Sequence, residues 1–301
     1  MQVLYAMSRD CERSLTQVET LYHQLLDQSW DLYLYSLLHW QKVAAWARKD
    51  YEQRQAKLLP AEVDKQFQPL LAENPLIQFV ETHDGFQHLV RRRRLIQQVD
   101  GDIVRKLYKG FGETEGYLDY ALGKKGDDIE VHREMLLQLY KWMVKQPLFD
   151  ELLEDLFPVW LDDRSLVVGT MKKTIRALPD DEQLHETHRT SKEATHEFGL
   201  VLLRKVVEQE RALLAVIKPA LKNWDIDRLA VLDMILLQMA LSELLSFPTI
   251  PTKVTLNEYV EIAKGYSTDK SKDFINGILD RLMKQLQEEG KIHKEGRGLL
   301  D

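Results

Sequence analysis

Residues 250–286 read IPTKVTLNEYVEIAKGYSTDKSKDFINGILDRLMKQL. Apolar residues recur three or four apart, the spacing that puts side chains on one face of an α-helix. The pattern predicts a helix over Thr252–Lys264, closed by Gly265 as a left-handed cap. Ser267 or Thr268 then caps a second helix whose Phe274, Ile275, Ile278, Leu279, Leu282 and Leu286 share a face. Working outward, Ile226–Leu245 carries Leu229, Leu232, Leu236, Leu237, Ala240, Leu241 and Leu244 at the same period and stops at Phe247-Pro248. Phe198–Leu221 is a further helix, kinked or ended by Pro219. Four helices with short joins imply a compact bundle, and an all-α fold. Beyond Glu288 the chain is polar and broken by glycines, the pattern of a frayed tail.

Upstream, Glu12–Leu59 is almost free of Gly and Pro and predicts one or two long helices, with a break near Ser29. Pro69, Asn74-Pro75 and Asp84-Gly85 make residues 60–85 read as a loose connector with short helical pieces. Helical character returns over Phe86–Tyr108, interrupted at Asp100-Gly101, then over Ile129–Lys145 and from Pro147 to Leu156. Residues 162–190 read as a loop or linker, with a domain boundary near 185–195. No repeat of 20–50 residues is evident.

The 301 residues carry 41 Lys+Arg against 48 Asp+Glu, a formal charge of −7, and are 44% hydrophobic, enough for one sizeable core or two smaller ones. Gly 14 and Pro 9 are few, which argues against a large sandwich or barrel. The single cysteine, Cys11, closes no intrachain disulfide, and a reducing, cytoplasmic compartment is expected. No basic segment followed by an apolar core opens the chain, and no stretch of about 18 apolar residues occurs. The acidic balance disfavours indiscriminate nucleic-acid binding, yet a local basic face remains open because screening hides distant acids.

Phosphate-loop, dinucleotide, nucleophile-elbow and zinc-protease motifs are absent. His185, His188 and His196 come nearest to a metal cluster and read as exposed loop histidines; Asp127-Asp128 and Asp162-Asp163 read as helix starts or turns. No catalysis, metal or cofactor is assigned. The strongest basic stretch is Arg91–Arg94 with Arg105, Lys106 and Lys109. Four consecutive arginines wrap around a helix axis, so they cannot all meet one ligand. A solvated face with ion pairs to Asp100 and Asp102 is favoured over a patch that holds RNA phosphates without reading bases. Trp30, Tyr33, Tyr35, Trp40 and Trp46 could stack on bases, but their helical spacing among leucines favours core.

Three segments carry a family resemblance. Pro251-Thr-Lys-Val followed by Asn257-Glu258-Tyr-Val-Glu261-Ile-Ala-Lys264, then Phe274-Ile-Asn-Gly-Ile-Leu-Asp280, resemble the NusB family of transcription antitermination factors. Asp233, Leu236, Leu237, Ala240, Glu243 and Leu244 match the preceding helix in shape, and Gln2-Val3-Leu4-Tyr5 resembles the family's Q-x-L-Y. The resemblance implies a NusB-like helical bundle with a large additional helical region. Residues 1–10 are the bundle's first helix, 11–190 a helical insertion, 191–288 the C-terminal bundle and 289–301 a polar tail.

It also implies a non-enzymatic protein that binds boxA RNA of ribosomal RNA leader transcripts together with NusE, a small-subunit ribosomal protein, on the RNA polymerase elongation complex. By position, Lys218, Lys222, Lys270, Lys272, Phe274 and Asn276 fall on its RNA side, and Tyr5 and Asp233 where the family meets NusE or the RNA edge. Asn276-Gly277 is anomalous within an apolar helix, since both residues are poor helix formers. Gly277 admits close approach of another helix, Asn276 holds either backbone or a base edge, and Asn257 ties helix ends. Two departures reduce the expected RNA affinity. The chain starts at Met1-Gln2, without the arginine-rich segment that precedes Q-x-L-Y in the family, and Gln238 stands where an arginine is common. Lys270, where an acid can occur, partly offsets them. The alternatives are a helical protein-interaction adaptor that has lost RNA binding and, less well matched, an RNA methyltransferase, for which no glycine-rich cofactor loop or catalytic cysteine motif follows.

Overall fold

A computed structural model describes residues 1–10, 14–180, 183–186, 189–221, 229–267 and 270–299. Every regular element among them is helical, with no strand. The chain forms two compact units, one of residues 1–24 with 190–301 and one of residues 25–189.

The first unit contains α1 (Gln2–Arg9), the opening residues of α2 (Leu15–Ala45), and the helices that follow residue 190. A π-helical turn, Glu193–Leu200, leads into α13 (Val201–Glu208). The rest are α14 (Glu210–Ala220), α15 (Val231–Ser246), α16 (Thr252–Tyr266) and α17 (Ser271–Glu288). The long Phe198–Leu221 helix is therefore split at Gln209, and Pro219 lies in the last turn of α14. α15 is apolar on almost every side, as a helix surrounded by others must be. Leu236, Leu237, Ala240 and Leu241 pack against Ile217 and Leu221, Tyr259 and Ala263, and Ile275, Ile278 and Leu282.

Two carboxylates interrupt this apolar helix, and both are buried. Glu243 accepts hydrogen bonds from Thr255 Oγ1 at 2.8 Å and Tyr259 Oη at 2.9 Å, tying α15 to the first half of α16. Asp233 accepts from Ser267 Oγ at 2.6 Å and Ser271 Oγ at 2.9 Å, tying α15 to the end of α16 and the start of α17. Gly265 accordingly lies inside α16 without a positive φ, and Ser267 points at Asp233 instead of capping α17; Thr268 falls outside the described residues. The tail also departs from expectation. Glu295 N donates to Pro248 O at 3.0 Å and Lys294 Nζ to Phe247 O at 3.0 Å. Gly298 is buried where a Cβ would run into the Pro248 carbonyl, so the residues after Glu288 fold back onto the α15–α16 turn.

Around the π-helical segment, Tyr22 Oη donates to Thr195 O at 2.9 Å, and a Cβ on Gly199 would collide with that hydroxyl. A side chain inserted into the helical ladder is a recognised cause of such a bulge.

The second unit is built around the rest of α2, which is unbroken at Ser29 and buried over most of Trp30–Ala44. The break falls at Trp46, after which α3 (Ala47–Gln55) continues with near-helical backbone. The aromatics of α2 are core, and their polar atoms stitch it to its neighbours: Tyr33 Oη donates to Leu184 O, Tyr35 Oη to Gln98 O and Trp40 Nε1 to Leu136 O. Residues 60–85 are not a loose connector. They form α4 (Glu62–Gln66), α5 (Leu70–Glu73) and α6 (Pro75–Thr82), and Phe67, Leu71, Leu76, Ile77 and Val80 are buried.

α7 (Asp84–Arg92), a 3₁₀ turn (Leu95–Gln98) and α8 (Gly101–Gly112) follow, with the predicted interruption at Asp100, which caps α8 through Asp102 N at 2.7 Å. α9 (Glu115–Ala121), α10 (Ile129–Met143), α11 (Pro147–Leu156) and α12 (Trp160–Ala177) complete the unit. α12 replaces the expected linker. Its Val167, Met171 and Ile175 are a buried i, i+4, i+8 stripe that intervening charges and Gly169 hide from a window reading.

His39 is buried among Tyr35 and Phe149 with neither ring nitrogen hydrogen-bonded to any of the described residues, and burial pushes its imidazole down to about 4. A lowered histidine value means the unfolded chain takes up the proton first. Stability is therefore lost as pH falls from the ordinary imidazole range toward about 4. The expected slope is about 1.4 kcal/mol per pH unit, and urea unfolding of His39→Phe across that window should show it removed.

For Glu243, burial pushes the carboxyl above the usual range, and the hydroxyls of Thr255 and Tyr259 offset this only in part. The folded state holds that proton more tightly, so this group's contribution falls as pH rises through the carboxylate range. Glu243→Gln should cost about 1–3 kcal/mol by leaving a donor unpaired, and the deficit should shrink as pH rises above the ordinary carboxylate value.

Candidate nucleic-acid interface

The Asp233 clamp fixes where α17 begins, and with it the lysines that precede and open that helix. Lys270 occupies the N-cap position without capping through its side chain, and Lys272 lies in the first turn. Both are exposed and form no ion pair among the described residues. Successive helical residues diverge by about 100°, so α17 buries Phe274, Ile275, Ile278 and Leu279 and presents Lys272, Asp273, Asn276 and Gly277 outward. The side chain of Asn276 makes no hydrogen bond among the described residues, and a Cβ on Gly277 would meet nothing. Gly277, expected to admit a neighbouring helix, is on open surface, as is Asn276. Asn257 on α16 is likewise exposed and ties no helix ends. The result is an exposed helix start that carries Lys270 and Lys272 beside the acid Asp273.

The other predicted positions divide. Phe274 is 7% exposed and belongs to the apolar core, so its ring is not offered to a base. Asp233 has both carboxylate oxygens taken by Ser267 and Ser271, which makes it a tie within the bundle. Lys218 is exposed in the last turn of α14, where Ala220 O receives Arg281 Nη1 at 2.7 Å. That anchor lies nine residues along α17 from Lys272, about 13 Å of helix rise. The structure therefore does not bring Lys218 into the Lys270–Lys272 group. Lys222, like Cys11 and His188, lies outside the described residues.

Tyr5 is half-buried on α1, its hydroxyl accepting from Arg9 Nη2 at 3.0 Å with the guanidinium 5.1 Å from its ring. Gln238, expected to remove a positive charge from the RNA side, is buried instead beside α1. It lines a cleft of about 190 Å³ with Leu4, Met7, Val206, Val207 and Ile235. An arginine there would change that cleft, not the α17 surface.

Sequence reasoning missed the hydroxyl pairs that hold this arrangement. Thr255/Tyr259 are one helical turn apart on α16, Ser267/Ser271 lie at the end of α16 and the start of α17, and each pair faces a carboxylate on an otherwise apolar helix. That acid within an apolar run was the available signal. The expectations about isolated ionisable residues are simpler. Asp128 caps α10 through Glu130 N at 2.7 Å, Asp162 and Asp163 open α12, and no group of three metal-ligating side chains occurs among the described residues. His185 meets His83 at 5.3 Å between rings and His196 meets His23 at 5.3 Å. No helix among the described residues is long and apolar enough to cross a membrane.

Comparison with known proteins agrees with the segments that define this surface. The model of the NusB family matches residues 162–284, which begins within α12 and runs through most of α17. The chain is 36% identical over 143 residues to the transcription antitermination protein NusB of Salinibacter ruber, covering 46% of this chain and 89% of that protein. It is 39% identical over 105 residues to the protein of that name from Chloroherpeton thalassium, and 54% identical over 65 residues to that of Natranaerobius thermophilus. The matches span 50% and 47% of those two relatives. No solved structure matches the chain. With a buried α15, the outward Asn276-Gly277 pair and a relative matched over nearly its whole length, this chain belongs to the NusB family.

Proposed function

We propose that this chain is a transcription antitermination factor that works by binding, without catalysis. In this reading it holds boxA RNA of ribosomal RNA leader transcripts together with NusE and joins the RNA polymerase elongation complex in the cytoplasm. The observation that carries the reading is Asn276-Gly277. Gly costs about 1 kcal/mol relative to Ala in a helix interior, and this glycine meets no neighbour that would require it. A residue pair unfavourable to its helix, facing outward beside Lys272, is explained by close approach of a ligand. Lys270 and Lys272 then contact phosphates, Asn276 hydrogen-bonds an unstacked base edge, and Lys218 adds a more distant phosphate contact. Tyr5, on α1, belongs to the NusE side.

A second reading, an adaptor that has lost RNA binding, draws on the loop after α3. Leu58 and Leu59 are 99% and 92% exposed there, while Asp64 pins the base of the loop through Lys57 and Arg54 at 2.9 Å each. Charge reversal at the α17 lysines separates the two readings.

Fluorescence anisotropy with boxA and scrambled RNA, each with and without NusE, tests the proposal. Lys270→Glu with Lys272→Glu should weaken boxA binding at least about tenfold and flatten the salt dependence by about 0.7 for each phosphate no longer neutralised. Asn276→Ala should lower the preference for boxA over the scrambled sequence. No such preference in the unmodified protein at moderate salt, even with NusE, would refute the reading. Gly277→Ala provides an independent check: a gain of about 0.5–1 kcal/mol in unfolding free energy together with weaker boxA binding.

A further inference from the structure

In the unit of residues 25–189, residues 91–109 run alongside residues 31–50. Arg93 pairs with Asp31, Tyr35 Oη donates to Gln98 O at 3.1 Å, and Lys42 and Trp46 share a cleft with Gly101 and Val104. Further along, the Trp46 and Tyr108 rings are 5.1 Å apart and Tyr108 Oη donates to Asp50 at 3.1 Å. These contacts keep the two segments in register over about 28 Å at 1.5 Å per helical residue.

The acids along this strip are largely engaged. Asp31 and Asp27 hold Arg93, Asp102 holds Arg105, Glu81 holds Arg48, and Asp100 caps α8. Of the ion pairs expected to Asp100 and Asp102, that of Arg105 to Asp102 forms, while Arg93 pairs with Asp31 and Asp27 instead. Arg91, Arg92 and Arg94 at one end are exposed and form no ion pair among the described residues. The same holds for Lys106 and Lys109 on α8 and for Lys49 across the cleft, where Lys42 is half-buried and Glu52 lines the same wall. Gly101, Arg105 and Lys109 are spaced i, i+4, i+8, on one face of α8, with open space above Gly101.

Arg94 adds a second observation. Its φ of 59° and ψ of 22° are left-handed, a conformation that disfavours side chains other than Gly, Asn and Asp. The chain places an unpaired cation there instead.

None of the exposed large apolar side chains lies within 31–50 or 91–109. A protein partner would want an apolar centre and few lysines, whereas a phosphate backbone needs only spaced cations. We propose that this strip is a sequence-blind track for the sugar-phosphate backbone of single-stranded RNA. The choice of RNA over DNA rests on the function proposed above; the backbone contact does not.

The probe is a 20-nucleotide uridine RNA, which lacks boxA, titrated against the full chain by fluorescence anisotropy at several salt concentrations. Replacing Arg91, Arg92, Lys106 and Lys109 by Gln should weaken binding by about tenfold or more and flatten the salt slope by about 0.7 for each phosphate released from its cation. The ratio of boxA to scrambled affinity should stay unchanged. Arg94→Gly suits the left-handed backbone, so it should bind more weakly with an equal or higher thermal midpoint. The Lys106→Gln/Lys109→Gln pair gives the same readout with less change to α7. Folded variants with unaltered affinity and slope would overturn the proposal. So would polyglutamate that competes as well as RNA of equal charge, since that marks an acidic protein as the partner. Uridine RNA held through the strip by a chain with no boxA preference would support this track and refute the boxA reading.

Discussion

The C-terminal bundle depends on two carboxylates set into its most apolar helix. Burying Asp233 and Glu243 is costly unless each oxygen finds a donor, and each does, from a pair of hydroxyls four residues apart in the chain. The two acids are ten residues apart on α15, about 15 Å of rise. One therefore holds the early part of α16 and the other holds its end together with the start of α17. Apolar contact alone would let α16 slide along α15, because dispersion and hydrophobic burial have little directional preference. The hydroxyl–carboxylate bonds fix the register. The position of Lys270 and Lys272, and the outward aspect of Asn276, follow from that register.

The unit of residues 25–189 solves the same problem with neutral groups. Along α2, large aromatic side chains supply the buried area, and their polar tips reach backbone carbonyls on three other segments. Each such bond is worth about 1 kcal/mol net, but leaving one unmade in the interior would cost more. Segments that look like connectors in the sequence, residues 60–85 and 162–177, are drawn in as helices because their few apolar residues complete this core. With its interior filled, the unit leaves its cations outside; Lys49 on α3 and Lys106 and Lys109 on α8 form no ion pair among the described residues, and neither do Lys173 and Arg176 on α12.

The net charge of −7 hides this distribution. Ions more than about 10 Å apart are largely screened at physiological salt, so a ligand responds to the local set and not to the total. On both units some exposed cations, Lys270 and Lys272 on one and Lys106 and Lys109 on the other, form no ion pair among the described residues, an arrangement that suits a polyanion and that a summed charge cannot reveal.

Much of the fold is legible in the chain itself. Periodicity alone locates α10, α11, α16 and α17 to within a few residues, because each has one buried face and solvent on the others. The family is legible in the contiguous segments around Asn257 and Asn276, where local order in the chain is preserved in space. Legibility ends where an outcome depends on residues far apart. Whether Phe274 faces a base or the core, whether Asp233 meets a partner or two serines, and whether Arg93 or Arg94 finds an acid are decided by which distant side chain arrives beside them. Helical period states that a residue lies on a given face of its own helix; only the packing of the other helices determines whether that face is covered and by what. For the same reason α12 resembles a linker in the sequence, since three apolar residues among charges form a stripe only when a core is there to receive it.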